Sequence, residues 1–154
     1  MTINADVEAL PPLEELSAED CRMQLGLGTV GRLAMIIDGY PLVVPVNYRM
    51  LSDEAGMAIL LRTAPGSTID RAPEPVAFEL DGIDHFHRQG WSVVVRGDLR
   101  HLEQAEIDLM GDQFDPRPWP TGKTTWLVIR PKSVTGRRLR ITEPEWTLHP
   151  EAYL

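Results

Sequence analysis

Two β-rich runs meeting at a two-residue turn constrain this chain more than any other feature. Arg32-Leu33-Ala34-Met35-Ile36-Ile37 leads into Asp38-Gly39, and residues 40–48 form a second β-branched run. Asp-Gly between two such runs is a strong hairpin signal, because the tightest turns need positive φ at their central residues. Pro41 and Pro45 lie inside the second run. Proline donates nothing to a ladder, so they predict an edge or a bulge there. A turn at residues 52–56 precedes a third strand over 57–61, which Ala64-Pro65-Gly66-Ser67 ends. A short helical turn is expected over 67–72, a fourth strand over 75–80 and a fifth over 90–102, with Gly97 as a bulge or kink. The sixth covers 124–131, and residues 133–141 are either its continuation or a seventh strand.

Helices are confined to the margins. Ser17 is a good N-cap, and Glu19 and Asp20 suit the positive end of the helix dipole. That helix carries Cys21, Met23 and Leu25 and is expected to stop at Gly26-Leu27-Gly28. A second, amphipathic helix is expected over 103–114, with Ile107, Met110 and Phe114 on its apolar face. Asp115-Pro116-Arg117-Pro118-Trp119-Pro120 reads as a loop. Short strands joined by tight turns, with helices at the edges, predict a mainly β fold, a small antiparallel barrel. The expected organisation is an arm at 1–16, one barrel domain at 17–143, and a tail at 144–154 anchored by Trp146 and Tyr153.

Charge narrows the function. Fifteen basic against 23 acidic residues give 15 − 23 = −8, whereas a nucleic-acid binder needs a basic surface. One cysteine, Cys21, rules out an intrachain disulfide and predicts a reducing, cytoplasmic home. No apolar run approaches a membrane span, so a soluble protein is expected. Two histidines in Asp84-His85-Phe86-His87 invite a metal reading, but no further ligands lie at helpful spacing, and a solvated loop with no metal is expected. His101 is expected at a strand end. No nucleophile triad, phosphate-binding Gly-rich loop, dinucleotide fingerprint or carboxylate pair is present, so no catalytic residue is assigned. That fits chemistry carried by a bound cofactor.

Four segments in order carry a family resemblance. They are Gly31-Arg32-Leu33-Ala34 with the 40–48 run, Arg62-Thr63-Ala64-Pro65-Gly66-Ser67, Pro75-Val76-Ala77-Phe78-Glu79-Leu80-Asp81, and Gly90-Trp91-Ser92-Val93-Val94-Val95-Arg96-Gly97. Together they resemble the pyridoxamine 5′-phosphate oxidase-like family of flavin-binding split barrels, especially its actinobacterial and nitroimidazole-resistance-type members. The resemblance covers residues 17–141. It implies a six-stranded Greek-key barrel that forms a homodimer, with FMN, or alternatively a deazaflavin, at the subunit interface. Arg32, Leu33 and Ala34 would then lie along the cofactor, and Pro45, Val46 and Asn47 would line the pocket. Arg62, Thr63, Ser67 and Thr68 would hold the phosphate, with Trp91 and Ser92 near the ring. Many members carry two adjacent basic residues where this chain has Ser67-Thr68 or Thr68-Ile69. That difference removes roughly 3 kcal/mol of charge-assisted phosphate contact.

Each residue also has a plainer explanation. Arg32 offers a forked donor for phosphate, or is a surface arginine at a strand end. The 62–68 turn either cradles an anion with its amides and hydroxyls or is a turn capped by Ser67 or Thr68. Trp91 either meets a flavin edge or fills the core, while Ser92 offers a hydroxyl. The Gly136-Arg137-Arg138-Leu139-Arg140 cluster reaches a phosphate or substrate acid, or makes a salt bridge between subunits. The expected activity is a flavin-dependent oxidoreductase acting on a small molecule, with the loop at 115–122 bordering substrate entry and Trp119 covering the ring. The alternatives are a deazaflavin-dependent reductase, a non-catalytic flavin or haem carrier, and a degenerate barrel kept for protein interaction.

Overall fold

In the computed structural model the described residues are 13–72 and 75–139. The expected anchors Trp146 and Tyr153, and Arg140 of the basic cluster, lie outside them. The chain runs β1 (Leu13–Glu15), α1 (Ala18–Leu27), β2 (Val30–Ile37), β3 (Tyr40–Asp53), β4 (Gly56–Thr63), β5 (Val76–Asp84), β6 (Gln89–His101), α2 (Gln104–Met110), a 3₁₀ turn (Asp112–Phe114) and β7 (Thr125–Leu139). The strands are ordered β1-β7-β4-β3-β2-β5-β6, and β7 also pairs with β6. That last pairing closes six strands, β2 to β7, into a barrel with every ladder antiparallel. After the β2-β3-β4 meander, β5 returns to lie beside β2, the Greek-key connection.

Local chemistry accounts for most element ends. Ser17 Oγ accepts from the Asp20 amide at 3.0 Å, and the helix closes with the Gly28 amide on the Gln24 carbonyl. Asp38 and Gly39 both take positive φ in the β2–β3 turn. β7 continues to Leu139, so residues 133–139 extend the sixth barrel strand rather than form a new one. Leu13–Glu15, at the end of the expected arm, pair with residues 139–137 of β7. The expected 103–114 helix is divided at Gly111, whose φ of 72° ends α2 before the 3₁₀ turn.

The barrel is split along β3. Residues 40–47 of β3 pair with β2 and residues 48–53 with β4, so the first half of the strand has one edge without a ladder partner. Pro41 and Pro45 share one parity in that half, as an unladdered edge permits. The turn at 64–72 follows β4, and its Ile69 and Ala72 pack on the core. The interior is filled by Leu33, Met35, Val46, Tyr48, Ile59, Leu61, Phe78, Leu80, Val93, Val95, Leu127 and Ile129. Tyr48 and Phe78 meet edge to face at 4.7 Å. A smaller outer cluster of Ala58, Leu60 and Val128 is covered by Leu102, Met110 and Phe114.

A register shift falls between Arg96 and Gly97, where the β7 partners jump from Ser133 to Pro131. A side chain at Gly97 would run into the Arg130 carbonyl oxygen, so this bulge requires glycine. Gly136 likewise admits no side chain, because α1 packs Cys21 Sγ against it. Burial pushes the Cys21 thiol pKa up, so the sulfur serves packing rather than reactivity.

Candidate functional site

Strand alternation divides the predicted residues between two faces. Leu33 and Val46 point into the core and are almost fully buried, so they can offer a ligand only their backbone. Arg32, Ala34, Pro45 and Asn47 alternate with them and face outward. The ladder aligns Pro45 with Arg32 and Arg32 with Glu79, and Val43 with Ala34 and Ala34 with Ala77. The outer face of β3, β2 and β5 is therefore a continuous surface, with Val43 and Ile36 exposed on it.

Arg32 is engaged on this face. Its Nε donates to Glu79 Oε2 at 2.8 Å, and its Nη2 lies 2.6 Å from Asp81 Oδ1. The hydrogen bonds to Asp81 and then Glu79 raise its pKa further. Two carboxylates thus hold the guanidinium that the sequence offered to a phosphate. Asp81 pairs with Ser92, and Ser92 with Arg137, so Arg32 and Ser92 belong to one polar row. Trp91 lies on Gly82, where a Cβ would meet its indole, and packs against the core. It also borders two grooves near the β5–β6 turn, one with Arg138.

Three of the four predicted phosphate residues go to different partners. Arg62 faces outward from β4, with its Nη1 donating to both Asp115 oxygens at 3.0 Å and its guanidinium 5.2 Å from the Trp126 ring centre. Thr63, on the opposite face and buried, shares a 2.8 Å hydrogen bond with Ser67 Oγ. Ser67 also caps the turn, accepting from the Asp70 amide at 3.2 Å. Thr68 lines a groove of about 460 Å³ with Ile36, Ile37, Asp38 and Arg71.

Asp70, which no sequence signal singled out, sits at the centre of this turn. Its Oδ2 accepts from the Gly66 amide at 2.6 Å, and its Oδ1 from His101 Nε2 at 2.7 Å. The His101 bond, followed by the Gly66 amide, holds its carboxyl below the usual carboxylate range.

A second groove, of about 350 Å³, opens on the outer face. Ala34, Met35, Ile36, Pro41, Val76 and Ala77 make it apolar, with Arg96 and Lys132 also lining it. Ile36 belongs to both grooves, so an apolar slot adjoins a polar one. This pair suits a flat, largely apolar ring with a polar tail. The turn beside the polar end offers a doubly charged phosphate little, since the Gly66 amide and the Thr63 and Ser67 hydroxyls are already bonded within the chain.

The loop after the 3₁₀ turn is tied down at Asp115 and again where the Trp119 amide donates to Asn47 Oδ1 at 3.1 Å. The Trp119 side chain is exposed. Asp84 accepts from the Phe86 and His87 amides and pairs with His87 Nδ1 at 2.7 Å, a capped, exposed turn. Among the described residues no group of three metal-ligating side chains occurs, and no helix is long and apolar enough to cross a membrane.

Comparison with known proteins agrees with this architecture. A family model described as pyridoxamine 5′-phosphate oxidase matches residues 17–138. The FAD binding protein from Mycobacterium smegmatis is 28% identical, with 83% of this chain and 99% of that chain covered and a TM-score of 0.63. An FAD-binding protein from Mesorhizobium loti is 27% identical over 83% and 99% of the two chains, at a TM-score of 0.62. A conserved protein of unknown function from Corynebacterium diphtheriae gives 27% identity, 84% and 100% coverage, and a TM-score of 0.72. No curated protein matched the chain.

Proposed function

Because the chain belongs to the pyridoxamine 5′-phosphate oxidase family, we propose that it is a flavin-binding oxidoreductase acting on a small molecule as a homodimer. The observation that carries this reading is the apolar slot along Ala34, Ile36, Pro41 and Ala77, joined at Ile36 to the polar groove of Thr68 and Arg71. Two relatives at similar identity are FAD-binding proteins, which supports a flavin, whether FMN, FAD or a deazaflavin. A bound flavin would supply the hydride or electron transfer.

The chain's own residues do the rest. Ala34 and Ala77 are small enough to let a planar ring lie against the strands, and Arg96 offers positive charge beside it, while Lys132 is paired with Asp98. Asn47 holds the loop that carries Trp119 at the margin of this face. Exposed Val43 extends the apolar area beyond the slot, as expected of a surface covered by a second copy. Enclosure by that copy would exclude water from the ring.

Replacing Ala77 with Arg places a charge in the slot without touching the core. We expect the variant to remain folded, to become monomeric by light scattering, and to lose flavin uptake. A variant that stays dimeric and takes up flavin like the parent would refute this placement. Reoxidation of bound, reduced flavin by small acceptors distinguishes an enzyme from a carrier.

A further inference from the structure

The turn over residues 63–71 contains an anion of its own. The Gly66 amide, the donor a tight turn would present to a phosphate oxygen, instead binds Asp70 Oδ2 at 2.6 Å. The two hydroxyls beside it, Thr63 and Ser67, bond each other at 2.8 Å, and Ser67 Oγ also accepts from the Asp70 amide. His101, reaching in from the end of β6, binds the second Asp70 oxygen at 2.7 Å. The Asp70 side chain is 19% exposed, and both of its oxygens are bonded within the chain.

Two of the three nearby arginines are committed elsewhere. Arg62 bonds Asp115, and Arg32 is held by Glu79 and Asp81. Arg71 lines the adjoining groove, where Asp38 stands beside it, and leaves the turn's own donors to Asp70. A phosphate monoester entering here would have to displace a carboxylate from its amide, or lie beside it with like charge.

From this geometry we infer that Asp70 is a specificity-determining residue: as an internal carboxylate it holds the anion position of the turn, and so selects against flavins ending in a doubly charged phosphate monoester. The inference rests on the flavin reading above and sharpens it. Affinity comes from the ring and the ribityl chain, and the terminal phosphate of FMN adds little.

The test is titration of the purified protein with riboflavin and with FMN at fixed salt, for the parent and for Asp70→Asn and Asp70→Ser. Asn keeps an acceptor for the Gly66 amide, Ser is one bond too short and frees it, and both remove the charge. The parent should favour FMN over riboflavin by less than about tenfold. In each variant that ratio should rise at least about tenfold, with riboflavin affinity nearly unchanged as proof of a folded site. A parent that already favours FMN by more than about tenfold overturns the inference, as do riboflavin-binding variants that keep the parental ratio. If the parent binds neither compound the inference is overturned, and the flavin reading falls with it only if FAD and a deazaflavin are refused as well. If it binds riboflavin, the flavin reading stands whatever the ratio.

Discussion

Arg62 Nη1 lies 3.0 Å from both carboxylate oxygens of Asp115, tying the outer face of β4 to a proline-rich loop 53 positions later in the chain. Both side chains are largely shielded, and Arg62 Nε is buried without a hydrogen-bond partner. Removing the carboxylate would leave the guanidinium with little but the Trp126 ring. We expect Asp115→Ala to destabilise the fold by about 1–3 kcal/mol. Arg62→Met should be milder, and a double-mutant cycle read by urea denaturation should show clear coupling between the two.

Tyr48 joins α1 to the barrel through a single buried contact. Its hydroxyl donates to the Leu25 carbonyl at 2.7 Å, and burial pushes its pKa well up. Tyr48→Phe keeps the packing on Phe78 and strands the carbonyl. A loss of about 1–2 kcal/mol is expected, with hydrogen exchange in the last turn of α1 rising more than in the strands.

Gly97→Ala tests the bulge. The added methyl meets the Arg130 carbonyl, a backbone atom that cannot swing away. The loss should be at least about 1–3 kcal/mol by thermal or urea melting. An unperturbed Gly97→Ala variant would mean that β6 and β7 pair differently here.

Glu106 gives the fold a specific acid sensitivity. The bidentate Arg100 bond, then the Glu103 amide, lowers its pKa to about 2 from an ordinary 4.5. A depressed carboxylate contributes stability above its unfolded pKa and loses it as pH falls toward the folded one. The parent's advantage over Glu106→Gln should therefore be full above about pH 4.5 and fade as pH approaches about 2. It will be modest, because the pair is more than a third exposed. Melting temperatures across that range check the sign.

The parts of this fold legible in the sequence are those decided within a few residues. Asp38-Gly39 sets its hairpin, Ser17 caps its helix, Pro41 and Pro45 mark an unladdered edge, and Gly97 marks the bulge. The direction of the predicted residues was legible too, since alternation alone sends Arg32 and Ala34 outward and Leu33 inward. What stayed hidden depends on register between distant segments. Arg62 reads as a phosphate ligand until Asp115 arrives beside it, and Arg32 until β5 brings Glu79 and Asp81. Asp70 carries no signal at all, because the role of its carboxylate follows from Gly66 four residues back and His101 thirty-one residues on. Arg71 was missed for a similar reason, since its groove exists only once the 64–72 turn reaches the β2–β3 hairpin.

Whether the outer face of β2, β3 and β5 holds a flavin is decided by the visible absorbance of the purified protein after incubation with riboflavin, FMN, FAD and a deazaflavin and removal of the excess. At least one should be retained near one per chain, with a perturbed flavin spectrum, and Ala77→Arg should abolish retention. A folded protein that stays colourless with all four would contradict the flavin reading.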